Sequence, residues 1–248
     1  MSDALRLYGS RAVVTGAADG IGEAIVRIFI KQGAQVFAVD GLNSGIDRHF
    51  GSLRGVTPHV CNIRDEASVA EMLAAADDAL NGLDIVVING ELQGKAPLSD
   101  DDPEGLERFL DQRIRVYSSI ARGSLPLLER SPAGRIVSIG CVRSAFALNG
   151  EAAAATAERA LAELTQTLAA EAGPDGITVN YIQPGAVMTP DSRRIFNDNK
   201  ELRDHCIRKS AARRLGEPVD IGKVALFLAS DDAVFVSGTG VLANGGRV

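Results

Sequence analysis

The sequence has few cysteines and no pattern that would crosslink them or bind zinc. Cys61, Cys141 and Cys206 form an odd count, and no Cys-x-x-Cys motif occurs. Neither a disulfide framework nor a cysteine zinc site is therefore expected. A reducing compartment, the cytoplasm, fits this cysteine usage.

Long apolar runs and an excess of basic residues are also absent. No run of 18 apolar residues occurs, so we expect no transmembrane helix. Residues 1–10 lack the apolar stretch of a secretory signal. Acidic residues outnumber basic ones by 32 to 26, which gives a net charge of −6. This balance argues against a nucleic-acid partner, because phosphate backbones require a basic face.

Short apolar runs alternate with longer helical patterns along the whole chain. The runs are rich in Val and Ile and do not alternate with polar residues, which is typical of strands buried on both faces of a parallel sheet. Predicted strands span 11–15, 35–40, 56–61, 84–89, 135–139, 177–182 and 241–243, and predicted helices span 21–32, 66–80, 103–130, 151–172 and 219–229. The alternation predicts an α/β fold with a Rossmann-type doubly wound parallel sheet, in a single domain over 1–248.

One polar and highly charged segment, 190–215, interrupts this pattern. It is either a substrate lid at the edge of the sheet or a solvated helix pair without function. Arg193, Arg194 and Arg208 in this segment could bind an anion such as the phosphates of a coenzyme A ester. A solvated charged face is the favoured interpretation of these arginines.

A glycine-rich loop, Gly16 to Gly22, lies between the first predicted strand and the first helix. Glycines there permit a tight turn and let backbone N–H groups approach a pyrophosphate, and the helix N-terminus attracts anions. Asp40 follows about 20 residues later, at the end of the second strand. It could accept hydrogen bonds from the ribose hydroxyls of NAD and repel the extra phosphate of NADP, or it could simply cap the strand end.

The sequence T-G-A-A-D-G-I-G of this loop resembles the T-G-x-x-x-G-I-G loop of the short-chain dehydrogenase/reductase family. Further motifs of that family follow in the same order, namely V-N at 179–180, P-G-A-V-M-T-P at 184–190, R-L-G-E-P at 214–218 and N-G-G at 244–246. The resemblance covers essentially the whole chain.

This resemblance implies NAD as the cofactor and assigns the residues around it. The implied cofactor-binding residues are Gly16, Asp19, Gly20, Ile21, Gly22, Asp40, Asn62, Ile63, Asn89, Pro184, Gly185 and Thr189. Asn62 and Ile63 would lie beside the adenine, and Thr189 would contact the nicotinamide carboxamide. Glu91 replaces the last glycine of the family's N-N-A-G segment. Its side chain and negative charge argue against NAD occupancy in this chain.

The catalytic residues of the family are missing. The family uses a tyrosine as general acid/base, a lysine four residues later, a serine and an asparagine. The segment G-R-I-V-S-I-G-C at 134–141 resembles the family's G-R-I-V-N-I-S-S. In the following helix, the register of the family's Y-x-x-S-K-x-x-L-x-x-x-T-x-x-L-x-x-E pattern is set by Ala157, Leu161, Thr165, Leu168 and Glu171. The four positions are then Arg113 for asparagine, Cys141 for serine, Ala154 for tyrosine and Glu158 for lysine.

These four changes remove the groups that the family uses for proton transfer. Alanine cannot exchange a proton, and loss of a general acid/base typically costs about 10²–10⁴ in rate. Glu158 would raise, not lower, the pKa of a neighbouring acid. None of Tyr8, Tyr117 and Tyr181 has a lysine four residues later. No catalytic residue is predicted.

Two hypotheses concern what now fills the site. Arg113 and Glu158 either form an ion pair in the former proton relay or face solvent or a partner separately. Cys141 is either a nucleophile or a small residue in a former serine site. The second is favoured, because the histidines lie in other segments of the chain.

The leading functional hypothesis is a catalytically inactive subunit that assembles with an active paralogue into a hetero-oligomeric NAD-dependent alcohol dehydrogenase. The family offers a precedent in the two-subunit dehydrogenase of anaerobic toluene degradation, which oxidises the aromatic acyl-CoA ester hydroxybenzylsuccinyl-CoA and has one inactive subunit type. Family members commonly form tetramers, so a hetero- or homotetramer through helix 151–171 is expected. The alternatives are an NAD-sensing regulator and an oxidoreductase that uses Glu91, Cys141 or Glu158. No metal, membrane or nucleic-acid partner is expected.

Overall fold

The computed structural model describes residues 5–90, 105–142 and 152–246. Strands and helices alternate along these residues, as the sequence predicts. The strands are β1 (Arg11–Thr15), β2 (Gln35–Asp40), β3 (Val56–Val60), β4 (Ile85–Ile88), β5 (Arg135–Ile139), β6 (Thr178–Pro184) and β7 (Gly240–Ala243). The helices are α1 (Gly20–Lys31), α2 (Ile46–Phe50), α3 (Glu66–Leu80), α4 (Gly105–Leu128), α5 (Ala152–Ala172), α6 (Pro190–Asp198), α7 (Lys200–Lys209) and α8 (Pro218–Ala229).

The seven strands form one parallel sheet in the order β3-β2-β1-β4-β5-β6-β7. Strand β1 has β2 on one side and β4 on the other, with Val14 in register with Ala38 and Val87. The strand order therefore reverses at β1, and the crevice beyond the carboxyl ends of β1 and β4 is where such sheets bind ligands. The prediction of a Rossmann-type doubly wound sheet is confirmed.

The non-alternating apolar runs reflect burial from both sides. All four residues of β4 are buried, and so are four of the five residues of β1. One hydrophobic cluster packs α1 and α8 against one face of the sheet, and a second packs α3, α4 and α5 against the other. Because helices cover both faces of the sheet, the candidate site lies at the edge formed by the carboxyl ends of the strands.

Two regions add detail to the predicted pattern. Helix α2 has only five residues, too few for a visible period, yet it buries Ile46 and Phe50. Segment 190–215 contains α6 and α7, each with a side-chain cap. Thr189 Oγ1 accepts a hydrogen bond from Ser192 N at 3.2 Å, and Asn199 Oδ1 accepts one from Leu202 N at 2.9 Å. Use of this segment as a lid stays a prediction.

Helix α5 turns its apolar stripe inward. Ala157, Leu161 and Leu168 are buried in this chain, and within the described part of the chain no large exposed apolar side chain lies on α5. Assembly through this helix remains a prediction. No described helix is both long and apolar enough to cross a membrane, and the described residues contain no cluster of His, Cys, Asp and Glu that could hold a metal ion.

Candidate functional site

The glycine-rich loop is held against the end of β4. Thr15 Oγ1 donates a hydrogen bond to Asn89 O at 2.6 Å, and Asn89 Nδ2 donates one to Gly16 O at 2.9 Å. Gly16 has a φ of +58°, and a Cβ on it would lie 2.6 Å from Asn89 O. This position therefore excludes any side chain for reasons of the protein's own packing.

The rest of the loop is equally close-packed. A Cβ on Gly22 would overlap the carbonyl oxygen of Gly16, and Ile21 is buried beside it. Gly20, with a φ of +52°, lies against the turn before α6, where a Cβ would be 3.4 Å from Thr189 Cβ. Gly20 and Thr189 are therefore neighbours, and their shared role in binding a cofactor stays a prediction.

Asp40 ends β2 beside this loop. Its Oδ2 accepts a hydrogen bond from Ala18 N at 2.8 Å, and its Oδ1 accepts one from Gly41 N at 2.7 Å. Each carboxylate oxygen can accept a second bond, so capping the backbone leaves capacity for ribose hydroxyls. Both interpretations of Asp40 are therefore compatible with its geometry.

The predicted adenine neighbours lie on the same side. Asn62 Oδ1 accepts a hydrogen bond from Arg64 N at 3.3 Å, directly after β3. Ile63 reaches across to β4, where a Cβ on Gly90 would be 3.3 Å from its Cδ1. The residues predicted for the adenosine end therefore lie just beyond, or at, the carboxyl ends of β1, β2, β3 and β4.

Asp19, the residue before α1, lies in an acidic environment. Partial burial raises its pKa most, and the charges of Asp40, Asp191 and Glu23 raise it further, while Arg194 opposes them. A phosphate placed at the start of α1 would meet this carboxylate. The helix N-terminus favours an anion there, whereas ionised Asp19 disfavours one.

Arg113 on α4 and Glu158 on α5 form an ion pair, with Nη2 and Oε1 3.4 Å apart. Only 8% of the surface of Arg113 and 4% of that of Glu158 are exposed. The ion-pair hypothesis is confirmed. The pair occupies the positions that the resemblance assigns to the asparagine and lysine of the proton relay.

Hydrogen bonds extend this pair to three strands. Arg113 Nη1 donates to Gly90 O at 2.8 Å, and its Nη2 donates to Ile139 O at 3.2 Å. Glu158 Oε1 accepts from Cys141 N at 2.9 Å, and its Oε2 accepts from the hydroxyl of Tyr181 on β6. The charged groups therefore connect the ends of β4 and β5 and the middle of β6 with α4 and α5.

Two members of this cluster were missed in the sequence, Gly140 and Tyr181. A Cβ on Gly140 would overlap Glu158 Oε2 and the Tyr181 hydroxyl, so the missing side chain leaves room for both. A signal was present, because Gly140 stands where the resembling motif has a serine. Tyr181 gave no such signal, since a tyrosine in a buried strand fits an ordinary core position.

The remaining predicted positions are partly described. Cys141 is half-buried after β5, and Ala154 lies in the first turn of α5. The histidines lie on other elements, at α2, β3 and α7. Cys141 as a nucleophile stays untested, and Glu91 lies outside the described residues.

Comparisons with known proteins identify the chain. Residues 16–247 match the family model described as enoyl-(acyl carrier protein) reductase. The oxidoreductase UcpA of Salmonella typhimurium is 32% identical, over 97% of this chain and 95% of the relative. The chain belongs to the short-chain dehydrogenase/reductase family.

Other similar proteins agree with this assignment. Dehydrogenase/reductase SDR family member 4 of Homo sapiens is 30% identical, over 95% of this chain and 86% of the relative. D-beta-hydroxybutyrate dehydrogenase of Rhizobium meliloti is 29% identical, over 95% and 97%. A solved short-chain dehydrogenase/reductase from Burkholderia xenovorans superposes with a TM-score of 0.86 at 27% identity, covering 97% of both chains.

Short-chain dehydrogenases/reductases are oxidoreductases that typically use NAD or NADP. The adenosine end of this site fits such a cofactor, because the loop is close-packed and Asp40 can still accept hydrogen bonds. The nicotinamide end does not fit it in the same way. By the sequence resemblance, the buried Glu158 stands at the position of the lysine that would hold the nicotinamide ribose, and Ala154 stands at the position of the tyrosine. We therefore derive no hydride or proton transfer at this site.

Proposed function

We propose that this chain is a catalytically inactive member of the family that assembles with an active relative. Together they form a hetero-oligomeric NAD-dependent alcohol dehydrogenase, in which the relative performs the oxidation. This chain contributes the fold and the contacts that complete the oligomer. The observation that carries the proposal is the buried Arg113–Glu158 pair.

The pair supports the proposal through its burial and its hydrogen bonds. A general acid/base must exchange protons with substrate, so it must reach the substrate. The Glu158 carboxylate accepts hydrogen bonds from Arg113, Cys141 N and Tyr181 instead, and only 4% of the residue's surface is exposed. Such a group replaces the relay without performing its proton transfer.

The experiment is co-expression of this chain with an intact relative from the same source, followed by purification of any complex. The complex should oxidise an alcohol with NAD, and the isolated chain should not. Replacing the catalytic tyrosine of the relative should abolish turnover. Ala154→Ser in this chain should leave the turnover of the complex unchanged. Turnover by the isolated chain would overturn the proposal.

As the substrate of the complex we propose an aromatic acyl-CoA ester, on the family precedent. The exposed Arg193, Arg194 and Arg208 on α6 and α7 offer cations to its phosphates, although Arg194 also pairs with Asp191 at 3.6 Å. The test compares the KM of the complex for the CoA ester and for the free acid. Equal KM values would contradict recognition of the CoA group.

One observation favours a second candidate, an NAD-sensing regulator. The phosphate loop keeps its close packing against Asn89, and Asp40 keeps free acceptor capacity. A regulator needs ligand binding without turnover, which this combination allows. It would be distinguished by a change in partner affinity when NAD is added, whereas the structural subunit would show none.

A further inference from the structure

We propose that the cofactor site of this chain is a half-site, which recognises an adenosine diphosphate group and gains no affinity from an attached nicotinamide riboside. The ligand class is thus any adenosine diphosphate compound, including ADP and ADP-ribose. This inference goes beyond the proposed function, because an inactive subunit needs no ligand.

The adenosine half is built from groups that still offer ligand contacts. Asp40 Oδ1 and Oδ2 each have one backbone donor and can accept another hydrogen bond. The loop between β1 and α1 is fixed by Thr15 and Asn89. Ala17 N and Ala18 N already donate to Val39 O and Asp40, so the phosphate donors of the half-site are the N–H groups at the start of α1. Rigid donors at a helix N-terminus favour a phosphate group, while the charge of ionised Asp19 opposes it.

In the nicotinamide half, the side chains of Arg113 and Glu158 form hydrogen bonds within the protein. Arg113 donates to Gly90 O and Ile139 O instead of facing a ligand. Glu158 is held by Cys141 N and Tyr181, below the surface. Ala154 has no side-chain donor for a ribose hydroxyl.

Thr189, the residue assigned to the carboxamide, also forms hydrogen bonds within the protein. Thr189 Oγ1 accepts from Ser192 N and shares a 2.9 Å hydrogen bond with Ser192 Oγ, which caps α6. The turn that carries Thr189 also lies against Gly20 of the phosphate loop. Among the described residues, Arg113 and Glu158 are therefore held in internal contacts, and the site gains no ribose contact from them. An attached nicotinamide riboside should then add no affinity.

The decisive measurement is calorimetric titration of the full chain with ADP-ribose, ADP and NAD. The half-site predicts dissociation constants for ADP-ribose and NAD that agree within about threefold, whereas recognition of the nicotinamide end would make NAD at least about tenfold tighter. Nicotinamide mononucleotide should give no heat. Asp40→Asn should weaken all three ligands together, and Asp175→Asn, an exposed change after α5, should leave them unchanged.

Each outcome decides the inference separately from the proposed function. Much tighter binding of NAD would overturn the half-site, and so would the absence of binding by all three ligands. Neither result would restore a proton donor, so the inactive-subunit proposal would stand. Circular dichroism of Asp40→Asn would distinguish a lost contact from a lost fold.

Discussion

Arg113 and Glu158 form an ion pair in the interior, with Nη2 and Oε1 3.4 Å apart, at the two positions that the sequence resemblance assigns to an asparagine and a lysine. The change has reversed the charge at one position and added a charge at the other. An unpaired charge in the interior destabilises the folded protein, so each residue offsets the charge of the other. The two substitutions therefore act as one unit, and the first prediction tests this.

Replacing one partner should destabilise the protein much more than replacing both. Glu158→Leu should lower the free energy of unfolding by about 3–5 kcal/mol, because it leaves Arg113 buried without its counter-ion. The double variant Arg113→Leu/Glu158→Leu should recover most of this loss. Urea denaturation of the four proteins measures the coupling.

The matched control is Arg115→Ala, two residues further along α4. Arg115 pairs with Asp111 on the exposed face, where both side chains are more than half exposed. This change should leave the unfolding midpoint where it is. A double variant as unstable as the sum of its single variants would contradict coupling of the buried pair.

Gly140 should tolerate no side chain while Glu158 is present. Its Cβ would overlap the Glu158 carboxylate and the Tyr181 hydroxyl. Gly140→Ala should cost about 1–3 kcal/mol, as overpacking in a core does, and less in a Glu158→Ala background. Gly173→Ala is the control, because its Cβ would meet no atom within 4 Å. An equal cost of Gly140→Ala in both backgrounds would show that Tyr181, and not Glu158, requires glycine.

The fold could be predicted almost entirely because it depends on burial, which the sequence shows directly. Strand runs such as the one that includes Val86 and Val87 are apolar without alternation, and the structure buries them on both faces. Helix α2 was not predicted, because five residues cover little more than one turn and show no period. Its boundaries depend on Ile46 and Phe50 reaching the core, a tertiary effect.

The site could be predicted only as a set of positions. Aligned motifs located Arg113 and Glu158, and opposite charges suggested a pair. Distances, burial and the donors on Glu158 depend on how β5, β6 and α5 pack, which no spacing shows. Tyr181 illustrates the limit, because its hydroxyl becomes a partner of Glu158 only when β6 lies beside β5.

Restoring the missing tyrosine and lysine should not restore activity. Ala154→Tyr/Glu158→Lys would place an ammonium group beside the buried Arg113 guanidinium, and like charges in the interior repel strongly. The variant should be less stable than the starting protein and show no alcohol oxidation above background. Adding Arg113→Asn should recover stability. Thermal unfolding and a turnover assay with NAD measure both effects, and activity in the double variant would contradict the role assigned to Arg113.

Stability at neutral pH should rise when Asp19 loses its charge. Partial burial and the neighbours Asp40, Asp191 and Glu23 raise its pKa, so the folded state holds the proton more tightly than the unfolded chain does. The contribution of Asp19 is therefore complete below the ordinary aspartate pKa of about 3.9, and it is lost as pH rises through the higher folded value. Asp19→Asn stays neutral and should avoid this loss. Its unfolding midpoint should exceed that of the starting protein at pH 7 and match it in acid.

Asp65→Asn is the control, because its effect on stability should depend on pH in the opposite direction. Asp65 caps α3, and its hydrogen bonds from the Ser68 hydroxyl and N–H lower its pKa. Its stabilising contribution is present above the ordinary pKa and is lost as pH falls, so Asp65→Asn should destabilise at pH 7 and converge with the starting protein in acid. Midpoints of urea unfolding between pH 3.5 and 7 separate the two patterns. If Asp19→Asn followed the same curve as Asp65→Asn, Asp19 would be a stabilising helix cap, and the acidic environment assigned to it would be wrong.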